Sequence, residues 1–423
     1  MKYLVTATLM IALGATAAEE PAAIQKVETP ALSEPQTLPT LDSLWNKASE
    51  GSELKQALVN GTLKAELLLG YEYSDLDDNG RDAANAFLSR TRISYLTGDY
   101  RGFSAFVQAQ YVGPLNDTFS PKNNKYDTVA DPEEFRFHQA YLAYTGYDSH
   151  ARIGAQEIIL DNARFIGNVG WRLNAQSFNA GSIANESVEN LKLYYAYADS
   201  INQINGETND DRQYHMFNGE YRLTENNQVS AFAYLQRNDE DGSGPDQLDT
   251  FGARNWGQSD NLNYDFMVAL QRHAFYGHAF GEAVLDRVNI GGGIEYISGG
   301  DDSNDRFQTL NGTAHKFNGW ADQFLGTGGG LEAGLIDAYG QVSATVLEKL
   351  NLLGVYHYFH TAHKTDSGFD GDYGQEFDLQ AKYSVCKNFD VLAKCAYYIK
   401  GDNHAGNTTA DETVFWLRGT LKF

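Results

Sequence analysis

Asp411-Glu412-Thr413-Val414-Phe415-Trp416-Leu417-Arg418-Gly419-Thr420-Leu421-Lys422-Phe423 closes the chain. Extended, it puts Phe423, Leu421, Gly419, Leu417 and Phe415 on one side and Lys422, Thr420, Arg418 and Trp416 on the other. Such period-two alternation sets one face in an apolar medium and one against something polar. A strand of this form that ends on an aromatic residue matches the closing strand of a bacterial outer-membrane β-barrel. A strand of a soluble sheet can look the same, so the rest of the chain must decide.

At the other end Lys2 precedes the apolar run Leu4 to Leu13, followed by Gly14 and the small residues Ala15-Thr16-Ala17. This predicts a secretory signal over residues 1–17, cleaved near Ala17 or Ala18. The alternative, a membrane anchor, needs about 20 apolar residues. No cysteine stands at the cleavage site, which excludes a lipoprotein signal. No later window is long enough for a transmembrane helix, leaving a closed barrel or a peripheral contact as the routes to a membrane. Composition favours the barrel: Tyr 26, Phe 23 and Gly 41 supply girdles and tight turns, while Pro is 8 and Cys 2. One barrel would use most of the 423 residues. Cys386 falls with Lys382 and Ser384, whereas Cys395 falls on the apolar face of the next strand, so both are expected to be free thiols.

Residues 18–59 read as a periplasmic linker and short helix. The stretch 19–40 is rich in Ala, Pro, Glu and Thr, and Leu41, Leu44, Trp45, Ala48, Leu54, Ala57 and Leu58 then recur at helical spacing. Such a helix could plug the barrel, meet a periplasmic partner, or rest at the rim. From Leu63 onward alternation takes over, and the barrel is expected over residues 60–423. Eighteen segments show it: 63–73, 87–97, 102–112, 134–145, 150–158, 177–184, 190–199, 212–223, 228–237, 248–257, 262–273, 277–286, 288–298, 335–346, 350–361, 375–386, 390–400 and 411–423. Most approach the ~10 residues that a tilted strand needs to cross a bilayer. Short turns alternate with long loops, as in barrels with short periplasmic turns and long outer loops. The connection at 274–276 breaks this order, being short where a long loop is due. An even count places both strand ends on the periplasmic side. The fold expected is therefore all-β, a transmembrane antiparallel barrel.

The net charge of -24 is uneven. Acids crowd the expected outer loops, among them Asp239, Glu240, Asp241 and Asp246, and Asp301, Asp302 and Asp305. The polar strand faces carry Arg90, Arg92, Arg152, Gln156, Arg254, Lys382, Lys394 and Arg418 as candidate lumen residues. As a set they would attract anions, since low-dielectric walls focus fixed charge. Individually they could pair with lumen acids such as Glu66 and Glu72 and stiffen the wall. Asp75, Asp77 and Asn79 resemble the start of a calcium loop, but Ala86 stands where the closing Glu belongs. They form either a solvated acidic loop or a weak, loosely held calcium site. No other cofactor is implied. His357 and His360 alternate across one strand and no G-x-S-x-G elbow is present, which argues against an enzyme. Nothing resembles a nucleic-acid patch.

Two segments go beyond a generic barrel. The first is Gly154-Ala155-Gln156, then Asp161-Asn162-Ala163-Arg164-Phe165-Ile166-Gly167, Trp171-Arg172 and Gln176-Ser177-Phe178-Asn179-Ala180. The second is His315-Lys316-Phe317-Asn318-Gly319-Trp320-Ala321-Asp322-Gln323-Phe324, then Gly334-Leu335-Ile336-Asp337-Ala338-Tyr339. This ordered pair resembles the alginate-export family of outer-membrane porins, which carries G-R-Q…D-x-x-R-x-x-G…W-R in the first half and H-K-x-x-G-W-x-D-x-F…G-L-x-D in the second. The resemblance implies an eighteen-stranded barrel in the bacterial outer membrane. It also implies passive transport of a hydrophilic, anionic solute or polysaccharide through a basic lumen. Ala155 stands where the family has Arg and Asn179 where Asp is common, which would remove one lumen base. Asp161, Arg164, Trp171, Arg172, Trp320 and Asp322 become candidates for a loop constriction. The glycines Gly326 and Gly328 to Gly330 predict a mobile second half for the loop 299–334. Expected partners are outer-membrane lipid, the barrel-assembly machinery through the closing strand, and a small solute or polysaccharide cargo. The competing function is a structural or adhesive barrel whose acidic loops bind divalent ions.

Overall fold

The computed structural model describes residues 52–238, 247–302, 304–324, 330–366, 370–401 and 410–423. The signal segment, most of the linker, Asp239 to Asp246 and the glycine run up to Gly329 lie outside the described residues.

Among the described residues one short helix, α1 (Ser52–Val59), precedes eighteen long strands. They are β1 (Thr62–Leu76), β2 (Ala84–Leu96), β3 (Phe103–Pro114), β4 (Glu134–Gly146), β5 (Ser149–Gln156) and β6 (Ser177–Val188). Next come β7 (Leu191–Asn202), β8 (Arg212–Thr224), β9 (Asn227–Asn238), β10 (Gln247–Ser259), β11 (Leu262–Gln271) and β12 (Ala274–Val284). The last six are β13 (Val288–Ile297), β14 (Leu335–Val346), β15 (Leu350–His360), β16 (Asp372–Cys386), β17 (Phe389–Lys400) and β18 (Glu412–Lys422). A two-residue strand, Thr208–Asn209, sits in the loop after β7. Each long strand pairs antiparallel with its sequence neighbours, and β1 pairs with β18 from Glu66↔Lys422 to Leu76↔Glu412, closing the barrel. Closure leaves no open edge, which a strand in lipid requires.

Pleating sorts the side chains. On β18 Phe415 and Leu417 are exposed on the outer face, while Val414, Trp416 and Arg418 are buried inside. The same split runs around the wall. Leu69, Phe87, Ile93, Leu142, Ile153, Phe266, Val268 and Leu379 face out as a belt of exposed apolar side chains. Glu72, Arg90, Asp265, Glu295 and Glu376 face in and are buried. A water-facing surface with that belt would be unfavourable, so the belt meets lipid. Among the described residues no helix is long and apolar enough to cross a membrane.

The inner turn Tyr147-Asp148 is a two-residue hairpin with positive φ at both positions, the type I′ geometry that matches the twist of paired strands, and Leu347-Glu348-Lys349 makes a three-residue turn with positive φ at its first two positions. The short outer connection falls at Arg272-His273, because β12 begins at Ala274, three residues before the sequence placed it. Both cysteines are free. At the outer end the long loops turn inward. The loop after β5 and the loop after β13 join wall residues such as Tyr214, Phe232, Tyr276 and Phe359 in one apolar core. The loop after β3, with Phe119 and Val129, packs on Leu68, Leu88 and Leu173 in a second.

Candidate functional site

The two sequence motifs meet inside the barrel. The loop 157–176 carries the first and the loop 298–334 the second. Their backbones touch directly. Ile166 and Asn311 form a parallel bridge, Gly167 N donates to Asn311 O at 3.2 Å, and Thr313 N donates to Ala163 O at 2.8 Å. Gly312 lies against the Arg164 carbonyl so closely that a Cβ there would overlap it. Asp161, Ala163 and Asp322 hold positive φ, a conformation that survives in non-glycine residues only where the surroundings fix it.

Side chains then lock the loops to the wall. Arg164 is fully buried and binds Glu295 of β13 through Nε at 2.7 Å and Nη2 at 3.1 Å. Its Nη2 also donates to Asn318 Oδ1 at 2.6 Å, and its plane lies 4.8 Å from the Phe317 ring. Glu295 accepts a further bond from Tyr276 at 2.5 Å. A buried ion pair is tolerable only with its remaining hydrogen-bonding capacity met in this way. Arg172 reaches Glu72 of β1 at 2.9 Å and Asp322 at 3.1 Å, with Asp131 at 3.9 Å. Asp322 bonds His315 Nδ1 at 2.9 Å, and Lys394 of β17 bonds His315 Nε2 at 2.9 Å. Burial, with Lys394 alongside, pushes the His315 imidazole down to about 3 against the pull of Asp322. It is therefore neutral, donating from Nδ1 to Asp322 and accepting at Nε2 from Lys394.

Aromatic rings enclose these charges. Trp171 stacks on His315 with ring centres 4.6 Å apart. Lys394 Nζ lies 3.6 Å from the Trp320 ring and 4.0 Å from that of Trp171. Arg418 lies 3.8 Å from the other part of this cage, the Trp171 ring, and donates to the Trp171 carbonyl at 2.6 Å. Glu376 of β16 accepts from the backbone N–H of both Trp320 and Ala321, the latter at 2.8 Å. Trp320 and Ala321 immediately follow Gly319, whose φ is +79°.

The remaining candidates divide. Arg90 binds Glu66 at 2.7 Å and the Leu173 carbonyl at 3.3 Å. Arg254 forms two bonds with Asp265, at 2.8 and 2.7 Å, beneath the Trp256 ring. Gln156 bridges Ala180 and Ser182. Asp161 accepts from Tyr234 at 2.8 Å, Asn218 at 3.0 Å and Ser230. Arg152 contacts His150 and the Tyr141 ring, and Lys382 lies opposite Asn351 near the inner rim. Ala155 pairs with Ala140 on the outward face beside exposed Leu142, so an arginine at 155 would not join this lumen. The expectation of a lost lumen base is thereby corrected. In the acidic loop Asp75 accepts from Tyr73, while the Asn79 side chain serves Arg81 N and Asp127. Asp75 and Asn79 thus have side-chain partners within the protein, Asp77 N donates to the Asp411 carbonyl at 2.9 Å, and among the described residues no cluster of metal-ligating side chains forms.

The sequence did not single out Glu295, Glu376, Asp131 or Arg136. For Glu295, Glu376 and Arg136 the signal was only a charged residue at an inward strand position, and Asp131 was one acid in a loop. Which loop each would meet depends on folding.

A family model described as alginate export matches residues 69–296, more than half of the chain. The match includes the first motif and ends before the second. A search of curated proteins found no match. Among solved structures, Acinetobacter baumannii OccAB1 superposes with a TM-score of 0.66 at 14% identity, covering 87% of this chain and 98% of that one. Pseudomonas aeruginosa OccK9 (OpdG) gives 0.64 at 14%, covering 87% and 100%. Pseudomonas aeruginosa OpdQ gives 0.61 at 14%, covering 86% and 99%. At such identity these share the barrel fold and nothing finer. The closed barrel, the lipid-facing belt and the family match agree, and the chain belongs to the alginate export family of bacterial outer-membrane channels.

Proposed function

We propose that the barrel passes small hydrophilic anions, such as sugar acids or short uronate chains, by diffusion and without chemistry. The observation that carries this reading is a row across three strands. Arg92 of β2 faces Gln110 of β3, and Gln110 faces Arg136 of β4, so both guanidinium groups point inward side by side. Arg92 Nη2 and Arg136 Nε are buried and have no hydrogen-bond partner. An enclosed N–H without an acceptor is unfavourable by about 1–3 kcal/mol, more when charged, and a passing carboxylate would supply the acceptor. The loop-side arginines differ from this row in degree, since Arg164 and Arg172 meet carboxylates at 2.7 and 2.9 Å while Arg136 has Glu134 only at 3.6 Å. The inward loops favour a small solute over a long polymer, because their packed core occupies the outer part of the lumen.

Reversal potentials in planar bilayers under a salt gradient test the reading. The wild type should favour chloride over potassium, and Arg92→Gln with Arg136→Gln should reduce that preference. Glucuronate oligomers should block the wild type more strongly than neutral oligosaccharides of equal size. A cation-selective wild-type channel would sink the anionic version. A folded barrel that never conducts would favour an adhesive role instead.

A further inference from the structure

The helix α1 does not enter the lumen. It docks at the inner rim, against the lipid side of the wall. Its partner is Tyr95, which shares the outward face of β2 with exposed Phe87 and Ile93, opposite the buried Arg90 and Leu88. Tyr95 donates its hydroxyl to the Leu58 carbonyl at 2.6 Å and accepts from Gly61 N at 3.0 Å. Gly98 N, in the β2–β3 turn, donates to the Ala57 carbonyl at 2.8 Å. Arg101 of the same turn lies 3.2 Å from Glu53. The chain can turn tightly under the Tyr95 ring because Gly61 has no side chain. A Cβ there would strike the Leu96 carbonyl and the ring.

This docking buries Ala57 and leaves Leu54 and Leu58 exposed, at 46% and 54%. Residues four apart share one helix face. That face lies near outward Leu63, which pairs with Tyr95 and is 67% exposed. The apolar surface of the helix therefore continues the lipid-facing belt of the barrel without a polar break at the rim. Gln56 and Lys55 fall elsewhere around the helix, toward water, with exposed Val59 between them at its last residue. An apolar face in line with the bilayer edge and a polar face away from it is the arrangement of an interfacial helix.

We propose that α1 lies in the boundary of the periplasmic leaflet, with Leu54 and Leu58 inserted among the lipid at headgroup level. The occupant of this apolar face is the bilayer that the barrel already spans. The helix serves as a foot that fixes the barrel's depth.

The test uses the full chain in nanodiscs of phosphatidylethanolamine and phosphatidylglycerol, with Cys386→Ser and Cys395→Ala as background. Leu54→Cys, Leu58→Cys, Gln56→Cys and, as an inner-turn control, Glu225→Cys are each labelled with an environment-sensitive dye. At 54 and 58 the dye should be quenched by lipids brominated near the headgroup, and iodide should quench it several-fold less than at 225. At 56 iodide should quench nearly as well as at 225. Equal iodide quenching at 54, 56, 58 and 225, with no quenching by brominated lipid, would overturn the proposal. So would energy transfer between labelled copies at 58 that persists on dilution into excess lipid, since a second copy would then cover the face. Loss of the heat-shifted gel mobility of a folded barrel identifies a variant that failed to fold, and the other leucine position then carries the test.

Discussion

Arg172 Nη2 lies 3.1 Å from Asp322 Oδ2, joining two loops that are 150 residues apart in the chain. The same guanidinium reaches back to Glu72 of β1. A line of contacts thus runs along the inside of the wall from Glu72 through Arg172, Asp322 and His315 to Lys394 of β17. The wall strands at its two ends, β1 and β17, both flank β18. Each loop is therefore tied to the wall and also to the other loop, so neither can swing away alone.

Arg172→Met should release both loops. The substitution leaves Asp322 and Asp131 without their cation and Glu72 with only Arg418 at 3.8 Å, and breaking a buried pair from one side costs roughly 3–5 kcal/mol. The barrel ladder does not depend on Arg172, so gel mobility and strand content should persist. Single-channel recordings should show larger or longer openings than wild type. Conductance that is unchanged in a folded Arg172→Met barrel would mean that the loops do not limit passage.

Glu376 makes a graded comparison possible. Its carboxylate accepts two backbone N–H groups of the loop, from Trp320 and Ala321. Glu376→Gln keeps an acceptor oxygen but loses the charge assistance, and Glu376→Ala strands both donors. Charge-assisted bonds are about twice as strong as neutral ones, and an unmet buried donor costs about 1–3 kcal/mol. Hydrogen exchange measured at 315–324 should rise slightly in Gln and strongly in Ala. Equal protection in all three proteins would show that Glu376 is not the latch.

Much of the barrel was legible because its rule is local. Alternation assigns each strand and face without knowledge of its neighbours, so the strand bounds fall within a few residues of those observed. The pairing of wall arginines with Glu66 and Glu72 was one of two open readings. Arg90 adopts it with Glu66, whereas Glu72 meets the loop residue Arg172 at 2.9 Å and the wall residue Arg418 only at 3.8 Å. The interlock was not legible. Two motifs far apart in sequence give no sign that Gly312 will seat on the Arg164 carbonyl, because that contact depends on where two loops are carried by the wall. Ala155 is a different case. Ile153 is exposed and Gln156 buried on β5, so alternation alone puts Ala155 on the outward face, and the lost lumen base came only from the family pattern.

Gly312→Ala should act through shape alone. The added methyl meets the Arg164 carbonyl, a backbone atom that cannot rotate aside. Gly312 must then withdraw, pulling Thr313 from Ala163 and loosening the bridge at Asn311. Overpacking of this type costs typically 1–3 kcal/mol. Cysteine-reactive probes applied from outside should reach Thr313→Cys faster in the Gly312→Ala protein. Equal labelling rates would show that the loops accommodate the methyl while still docked.

Acid should loosen the same junction, and the sign follows from His315. In a released loop its imidazole has the ordinary value near 6.5, whereas in the docked loop it is pushed down to about 3. A lowered value favours the neutral, docked form, so its contribution is complete above about pH 6.5 and shrinks as pH falls toward 3. Each pH unit in that window removes at most about 1.4 kcal/mol. The charged groups facing the ring are Asp322, which favours protonation, and Lys394 and Arg172, which oppose it. Between pH 7 and pH 4.5 the wild-type channel should open more often. His315→Gln keeps a donor and an acceptor but cannot titrate, so it should lose most of that pH dependence. A pH response of equal size in the Gln variant would assign the effect to the carboxylates around it.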